Sequence, residues 1–306
     1  MDLRQLEIIR AIADSGSFTA AGEKLHVSQS AISRQVLLLE AELGEPVFHR
    51  IGRRIRITPA GEALLRLSHR VFQDVQDTVS AISDTRELLR GTIRLVGGMT
   101  VCLYVFPSLL AEVRRTHPNL DLKVTVGSGE RSIALLRSGA ADLGLVTLPV
   151  ATADLESVPV LEEELLLITY PAHPLAGKRK IRSADLTRQP FILFETGSIT
   201  RRLVEEFLTR ERIEPEIVME TENVEIIKAM VRNGVGISIV PWQAASADVQ
   251  TKQLHCSRIA DHALHRQTGW LYPKMRRLPR AVSEVMRVFE QIRPKFQALA
   301  RAPRNY

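Results

Sequence analysis

Along the first ninety residues the apolar positions recur at intervals of three and four. Leu6, Ile9 and Ala13 form one stripe, with Ile8 and Ile12 beside it. Phe18, Ala21 and Leu25 form a second, and Ile32, Val36, Leu39 and Leu43 a third. Each spacing predicts an amphipathic helix, three in all, able to share one small core. Ser17 and Ser28 stand where N-caps are needed and Gly44 where the third helix stops. Residues 17–43 therefore read as a pair of short helices joined by a tight turn. From Pro46 the period shortens to two. Val47-Phe48-His49-Arg50-Ile51 and Ile55-Arg56-Ile57 predict two strands turning at Gly52. Thr58-Pro59 then reads as cap and first helical position. The proline-free stretch to about Arg90 carries a narrow stripe of Leu64, Leu67, Val71, Val75, Val79 and Ile82 on a helix about 45 Å long. One narrow stripe on so long a helix suits pairing with its own copy.

Gly91 marks a change of pattern. β-rich runs at 92–97, 121–126 and 142–146 alternate with helical runs at 100–115 and 129–138. This βαβαβ order predicts a mostly parallel sheet covered by helices. A second set follows, with strands at 165–170, 191–194, 216–220 and 235–240 and helices at 200–212 and 223–233. The chain closes with a strand at 269–272 and an amphipathic helix at 279–298. Two α/β lobes with a late return of the chain imply a cleft crossed at a hinge.

The outer face of the third helix sharpens the picture. Gln29, Ser30, Ser33 and Arg34, with the cap Ser28, occupy its first turns. Gln pairs with adenine, Arg with guanine, and small hydroxyls reach phosphates or base edges, so this face suits a DNA groove. A helix-turn-helix presents that part of its second helix to base edges. A solvated helical hairpin remains the alternative at this point. The segment after it weighs against that alternative. Between Pro46 and Gly61 there is no acid, and Arg50, Arg53 and Arg54 fit the wing of a winged helix, laid on phosphates or in a minor groove.

Composition and charge add bounds. The 306 residues, 45% hydrophobic and 25% charged, provide for two or more cored domains. No apolar run is long enough to span a bilayer and the first residues lack a signal-peptide pattern, so a cytoplasmic location is expected. The net charge of +6 is concentrated in the tail, where nine bases face two acids from Trp270 onward. Local basic runs therefore say more about nucleic-acid binding than the overall balance does. Cys102 and Cys256, far apart in sequence, fit a reducing compartment.

The order of parts resembles the LysR-type transcriptional regulators. The residues that carry the likeness include Leu3-Arg4-Gln5-Leu6, Gly16-Ser17-Phe18-Thr19-Ala20-Ala21, Ser28-Gln29-Ser30-Ala31-Ile32-Ser33, Val47-Phe48-His49-Arg50 and Thr58-Pro59-Ala60-Gly61. Further on they include His117-Pro118-Asn119-Leu120, Gly139-Ala140-Ala141-Asp142-Leu143 and Gly234-Val235-Gly236-Ile237-Ser238-Ile239-Val240-Pro241. The resemblance implies an α+β multidomain chain. A winged helix-turn-helix (1–58) and a dimerising linker helix (59–90) precede an effector-binding domain (91–306) similar to periplasmic solute-binding proteins. Lobe I of that domain takes about 91–162 and 268–306, lobe II about 163–267. The resemblance further implies promoter DNA, a small-molecule effector and RNA polymerase as partners, a homodimer assembling to a homotetramer, and no cofactor. DNA contacts map to Gln29, Ser30, Ser33, Arg34 and the wing Arg53; many members have proline where this chain has Ser30. Effector contacts map to Thr100, Ser128, Thr147 and the Gly197-Ser198-Ile199-Thr200 turn. Thr100, Ser128 and Ser198 each stand where a predicted strand yields to a helix, whose free N–H groups suit carboxylates or phosphates. Some relatives carry a basic residue at the position of Thr147 that helps hold an acidic inducer; its absence here argues against a strongly charged ligand, although Arg201 and Arg202 stand close in sequence.

Other functions compete with this reading. The chain has no nucleophile elbow, paired-His zinc-protease motif or P-loop, so an enzyme is not expected. A two-lobed solute receptor would have no use for residues 1–58. Metal sensing rests on His255, Cys256, Asp261, His262 and His265, whose donor types suit zinc, although their spacing matches no standard structural zinc motif. A thiol switch would use Cys102 and Cys256.

Overall fold

A computed structural model describes residues 1–51, 54–82, 89–150, 152–176, 178, 181–259, 263–275 and 278–303, with backbone only at 50, 51, 54, 73, 74 and 76–82. The chain divides into two units, Met1–Glu87 with Leu135–Ala140, and Leu88–Ala134 with Ala141–Tyr306.

The first unit holds α1 (Leu3–Ser15), α2 (Phe18–Leu25), α3 (Gln29–Leu43), β1 (Phe48–Ile51), β2 (Arg54–Ile57) and α4 (Pro59–Ile82). Caps set these bounds. Asp2 and Gln5 form a capping box on α1, and Ser17 and Ser28 accept from Ala20 N and Ala31 N. Gly16 and Gly44 end α1 and α3 in the left-handed conformation. The three predicted stripes meet in one core of Leu6, Ile9, Ile12, Phe18, Ala21, Ile32, Val36 and Leu39, closed by Val47 and Phe48. The stripe of α4 divides. Leu64, Leu67 and Val71 pack on this core, and Ser68 Oγ donates to Leu6 O at 2.9 Å, while Val75 is exposed. The first turns of α4 are therefore committed to their own chain. The side chains of Val79 and Ile82 lie outside the described residues.

The second unit runs β3 (Gly91–Gly97), α5 (Met99–Tyr104), α6 (Phe106–Thr116), β4 (Leu120–Val126), α7 (Gly129–Arg137), β5 (Leu143–Leu148), β6 (Leu155–Thr169), β7 (Pro190–Phe194), α8 (Ile199–Arg210), β8 (Glu216–Thr221), α9 (Val224–Arg232), β9 (Ser238–Pro241), α10 (Trp242–Gln250), β10 (His255–Ser257), β11 (Leu264–Pro273) and α11 (Arg280–Leu299). Seven strands form one sheet, ordered β10-β6-β11-β5-β3-β4 with β9 also on β6. Within this sheet β3 pairs in parallel with β4 and β5, while β6 and β11 make every one of their pairings antiparallel; β7 and β8 form a separate parallel pair. The expected parallel pairing of the 92–146 run is thus present in β4-β3-β5, and the antiparallel β6 and β11 extend it into a mixed sheet. The cause is that β6 and β11 are long strands running side by side in opposite directions through both lobes. The expected helix 100–115 is also interrupted. α5 ends at Tyr104, Val105 separates it from α6, and Pro107 occupies the first turn of α6, where a missing N–H costs nothing.

Two lobes follow from the cores. Ile93, Leu95, Leu109, Leu143, Leu145 and Trp270 pack under α11 through Val285, Phe289 and Ile292. In the other lobe period-two alternation sends Leu165, Leu167, Phe191, Leu193 and Ile239 to one face, against Val204 and Phe207 of α8. It sends Leu166, Ile168, Ile192, Phe194 and Val240 to the opposite face, against Val224, Ile227 and Val231 of α9 and Trp242 of α10.

Candidate DNA interface and effector cleft

Ser28 opens α3 by accepting from Ala31 N at 3.2 Å and shares a hydrogen bond with Ser30 Oγ at 3.0 Å. Gln29 Nε2 donates to Ser33 Oγ one turn further on, at 2.8 Å. Ser28, Gln29, Ser30 and Arg34 are exposed and Ser33 is half-buried, while Ile32 and Val36 fix the opposite face in the core. The helix pair is held by a close approach. An added Cβ on Gly22 would stand 2.7 Å from Val27 O, and His26 takes the left-handed conformation at φ 55°. The wing is pinned from its base. Glu40 Oε1 accepts from Val47 N at 2.7 Å and Phe48 N at 3.2 Å, and Thr58 Oγ1 accepts from Gly61 N while lying 2.6 Å from Pro46 O. In the β1–β2 hairpin Arg50 stands opposite Ile55 and Arg54 opposite Ile51. Arg53 and the predicted turn at Gly52 lie outside the described residues, as do the side chains of Arg50 and Arg54.

In the second unit a cavity of about 150 Å³ is lined by Ser128, Glu130, Glu195, Thr196, Gly197, Ser198 and Glu222. Ser128, Gly197 and Ser198 are among the residues singled out from the sequence. Thr196 and the three carboxylates are not. Glu130, Glu195 and Glu222 flank the β4–α7, β7–α8 and β8–α9 connections, so the signal was their place at strand-to-helix joins, where ligands collect in α/β sheets. Ser198 caps α8, accepting from Arg201 N at 3.4 Å, and Gly197 precedes it at φ 93°. No basic side chain lines the cavity among the described residues. Arg201, close in sequence, is buried and engaged by Glu205 Oε1 at 2.7 Å, Glu220 Oε1 at 2.8 Å and Phe194 O at 2.8 Å.

The remaining sequence candidates lie elsewhere. Thr200 is buried and accepts from Arg266 Nη1 at 3.0 Å. The Arg266 guanidinium also forms a two-pronged pair with Glu163 at 2.9 and 3.0 Å, and Thr268 donates to the same carboxylate at 2.7 Å. Arg266 and Glu163 face each other on β11 and β6, so this network ties the first turn of α8 to the two strands that pass between lobes. Thr147 is half-buried on β5 opposite Thr268, Ile199 is half-buried in the first turn of α8, and Thr100 is buried in the first turn of α5. None of these four lines the cavity.

Asp261 and His262 of the proposed metal cluster lie outside the described residues. Among the described residues no three His, Cys, Asp or Glu converge as a metal site. Burial pushes the Cys102 thiol up to about 11 and the Cys256 thiol up to about 12. Both are therefore overwhelmingly protonated at neutral pH, and the thiolate is the reactive form.

Comparison with known proteins decides the family. The family described as "Bacterial regulatory helix-turn-helix protein, lysR family" matches residues 3–62, and "LysR substrate binding domain" matches residues 86–293. The chain belongs to the LysR family. It is a DNA-binding transcriptional regulator with an effector-binding domain. Among LysR relatives, a "Probable RuBisCO transcriptional regulator" of Trichormus variabilis is 34% identical over 275 residues, covering 88% of this chain and 81% of that protein. The fold matches full-length OxyR from Pseudomonas aeruginosa at a TM-score of 0.79 and 24% identity, over 95% of each chain. The regulatory domain of Synechocystis CcmR, solved in complex with 2-PG, matches at a TM-score of 0.62 and 25% identity, over 66% of this chain and 97% of that one. No helix among the described residues is long and apolar enough to cross a membrane.

Proposed function

We propose that this LysR-family regulator binds its effector where α7 and α8 begin. The carrying observation is the cavity that brings Ser128, Gly197 and Ser198 together. Unsatisfied N–H groups at the two helix starts suit an anionic or carbonyl oxygen. Glu130, Glu195 and Glu222 oppose a ligand of high negative charge and favour one that also carries an ammonium or several hydroxyls. The cavity volume limits the ligand to a small metabolite. A thermal-shift series of the full chain with organic acids, amino acids, nucleotides, divalent metals and 2-PG tests this, because preferential binding to the folded state raises stability by about 2.7 kcal/mol at a hundredfold excess over Kd. The expected outcome is a rise with a small zwitterionic or hydroxylated acid that Ser198→Ala and Ser128→Ala abolish. A rise that both variants retain would move the site elsewhere.

On the DNA side, Gln29, Ser30, Ser33 and Arg34 read base edges, with Ser28 positioning the helix. The wing bases Arg50, Arg53 and Arg54 take phosphates or a minor groove. Residues 1–58 are the DNA-binding domain, 59–90 the linker and 91–306 the effector domain. The exposed Val75 and the stripe continuing through Val79 and Ile82 leave the C-terminal half of the linker helix for pairing with a second copy. Such a pairing presents two recognition helices to an interrupted palindrome, assembles further to a homotetramer, and acts in the cytoplasm on RNA polymerase at the promoter.

A further inference from the structure

Away from the cavity, a compact set of charged and hydrogen-bonding groups joins α5 of one lobe to α9 and α10 of the other. The Tyr104 hydroxyl donates to Glu225 and accepts from Lys228 Nζ at 3.0 Å, with Ala244 O at 3.3 Å from the same oxygen. Gln243 Nε2 donates to Tyr104 O at 3.3 Å. Lys228 is 4% exposed, and its ammonium also meets Ala244 O at 2.9 Å, Asp248 Oδ2 at 2.7 Å and Glu225 Oε1 at 2.8 Å. Arg232 completes Asp248 at 2.6 Å. Tyr104 is the single member of this set that belongs to the first lobe.

Its position matters because one end of the set leads back to the proposed effector site and the other to Thr100, a sequence candidate outside the cavity. Thr100 lies four residues before Tyr104, one turn away on the same face of α5. Glu222, which lines the cavity, lies three residues before Glu225, across the Asn223 cap of α9. A movement of α5 relative to α9 must therefore break charge-assisted bonds at Tyr104, which are shorter and stronger than neutral ones. Burial, and then the hydrogen bond to Glu225, push the Tyr104 hydroxyl up to about 12, so it keeps the proton it donates. Burial works against the charge of Lys228, but its bonds to Asp248, Glu225 and Tyr104 more than offset that and raise its pKa.

We propose that Tyr104, Glu225 and Lys228 form an interlobe clasp that holds the cleft at one opening, with Tyr104 the positioning residue for α5. The clasp is defined without reference to the effector, so its test stands apart from that of the binding site. Spin labels at Gln291→Cys on α11 and Thr209→Cys on α8, in a Cys102→Ser background, report the distance between lobes. Both sites are exposed. Labelled chain is diluted into unlabelled chain so that only distances within one chain are read. Tyr104→Phe keeps the ring and removes the hydroxyl; Glu225→Gln keeps the size and removes the charge. In both, a second interlobe distance is expected to exceed about a tenth of the molecules, against a single distance without them. A single unchanged distance in both variants, even with a lowered Tm, assigns these residues a structural role and overturns the clasp. Should Tyr104→Phe fail to fold, Glu225→Gln alone decides, since the Glu225 side chain is 43% exposed and tolerates replacement.

Discussion

At the scale of single residues, neighbouring side chains decide which polar groups remain free for function. Thr200 and Ser198 are two positions apart, yet the first is spent on the Arg266 guanidinium and the second lines the cavity. Arg201 illustrates the same point: a cation beside the Gly197-Ser198 turn is engaged by Glu205 and Glu220 and so is not free for a ligand in the cavity. The two cysteines carry a prediction of their own. With thiols held at about 11 and about 12, fewer than about one in a thousand is thiolate at pH 7.5, so alkylation of the native chain should be slow beside that of the unfolded chain. Peroxide should leave DNA affinity unchanged. Rapid modification of either thiol with loss of DNA binding would bring back the redox reading.

Secondary-structure elements show what can be read from pattern and what cannot. Helix stripes, caps and the basic hairpin were visible because they are local: Ser28, Gly44 and Thr58 act within a few residues of themselves. The α10 helix and the β10 strand are not legible in the pattern, since Trp242, Ala244 and Ala245 are buried on an element whose periodicity is weak and β10 is three residues long. Parallel pairing is legible in the βαβαβ run, whereas the antiparallel pairing of β6 with β11 is not, because those partners are chosen across the chain. The cavity is half legible: Ser128 and Ser198 stand out at helix starts, whereas Thr196 and the three carboxylates emerge only where the connections meet. Two element-scale predictions follow from packing. Gly22→Ala favours a helix intrinsically but forces a backbone clash with Val27 O, so stability should fall by about 1–3 kcal/mol, read by denaturant unfolding. A stabilised variant would contradict the tight α2–α3 approach. Glu164, on β6, binds Arg258 at 2.6 and 3.0 Å and Ala302 N at 3.0 Å. Burial works to raise its pKa, but these partners hold it below the ordinary carboxylate value of 4.5. The folded state therefore binds its proton less readily than the unfolded state. The stability this gives is full above pH 4.5 and is lost as the pH falls through the lower folded value. Glu164→Gln should flatten that acid limb of a Tm-against-pH curve; an unchanged limb would remove Glu164 from the account.

For the whole molecule, the role proposed for α3 is to read DNA sequence on behalf of an effector-binding domain. The charge of residues 17–43 is modest, with Lys24 and Arg34 set against Glu23, Glu40 and Glu42, so under this proposal hydrogen bonds from Gln29, Ser33 and Arg34 supply the discrimination that bulk charge does not. The most direct measurement is an anisotropy titration of the full chain on a duplex that it has itself selected from a random pool, against a scrambled duplex, at about 150 mM salt. The account predicts at least roughly 10³-fold preference for the selected duplex, with Arg34→Ala losing about 1–3 kcal/mol of that preference. Equal affinity of the wild-type chain for both duplexes, or full discrimination retained by Arg34→Ala, would contradict it.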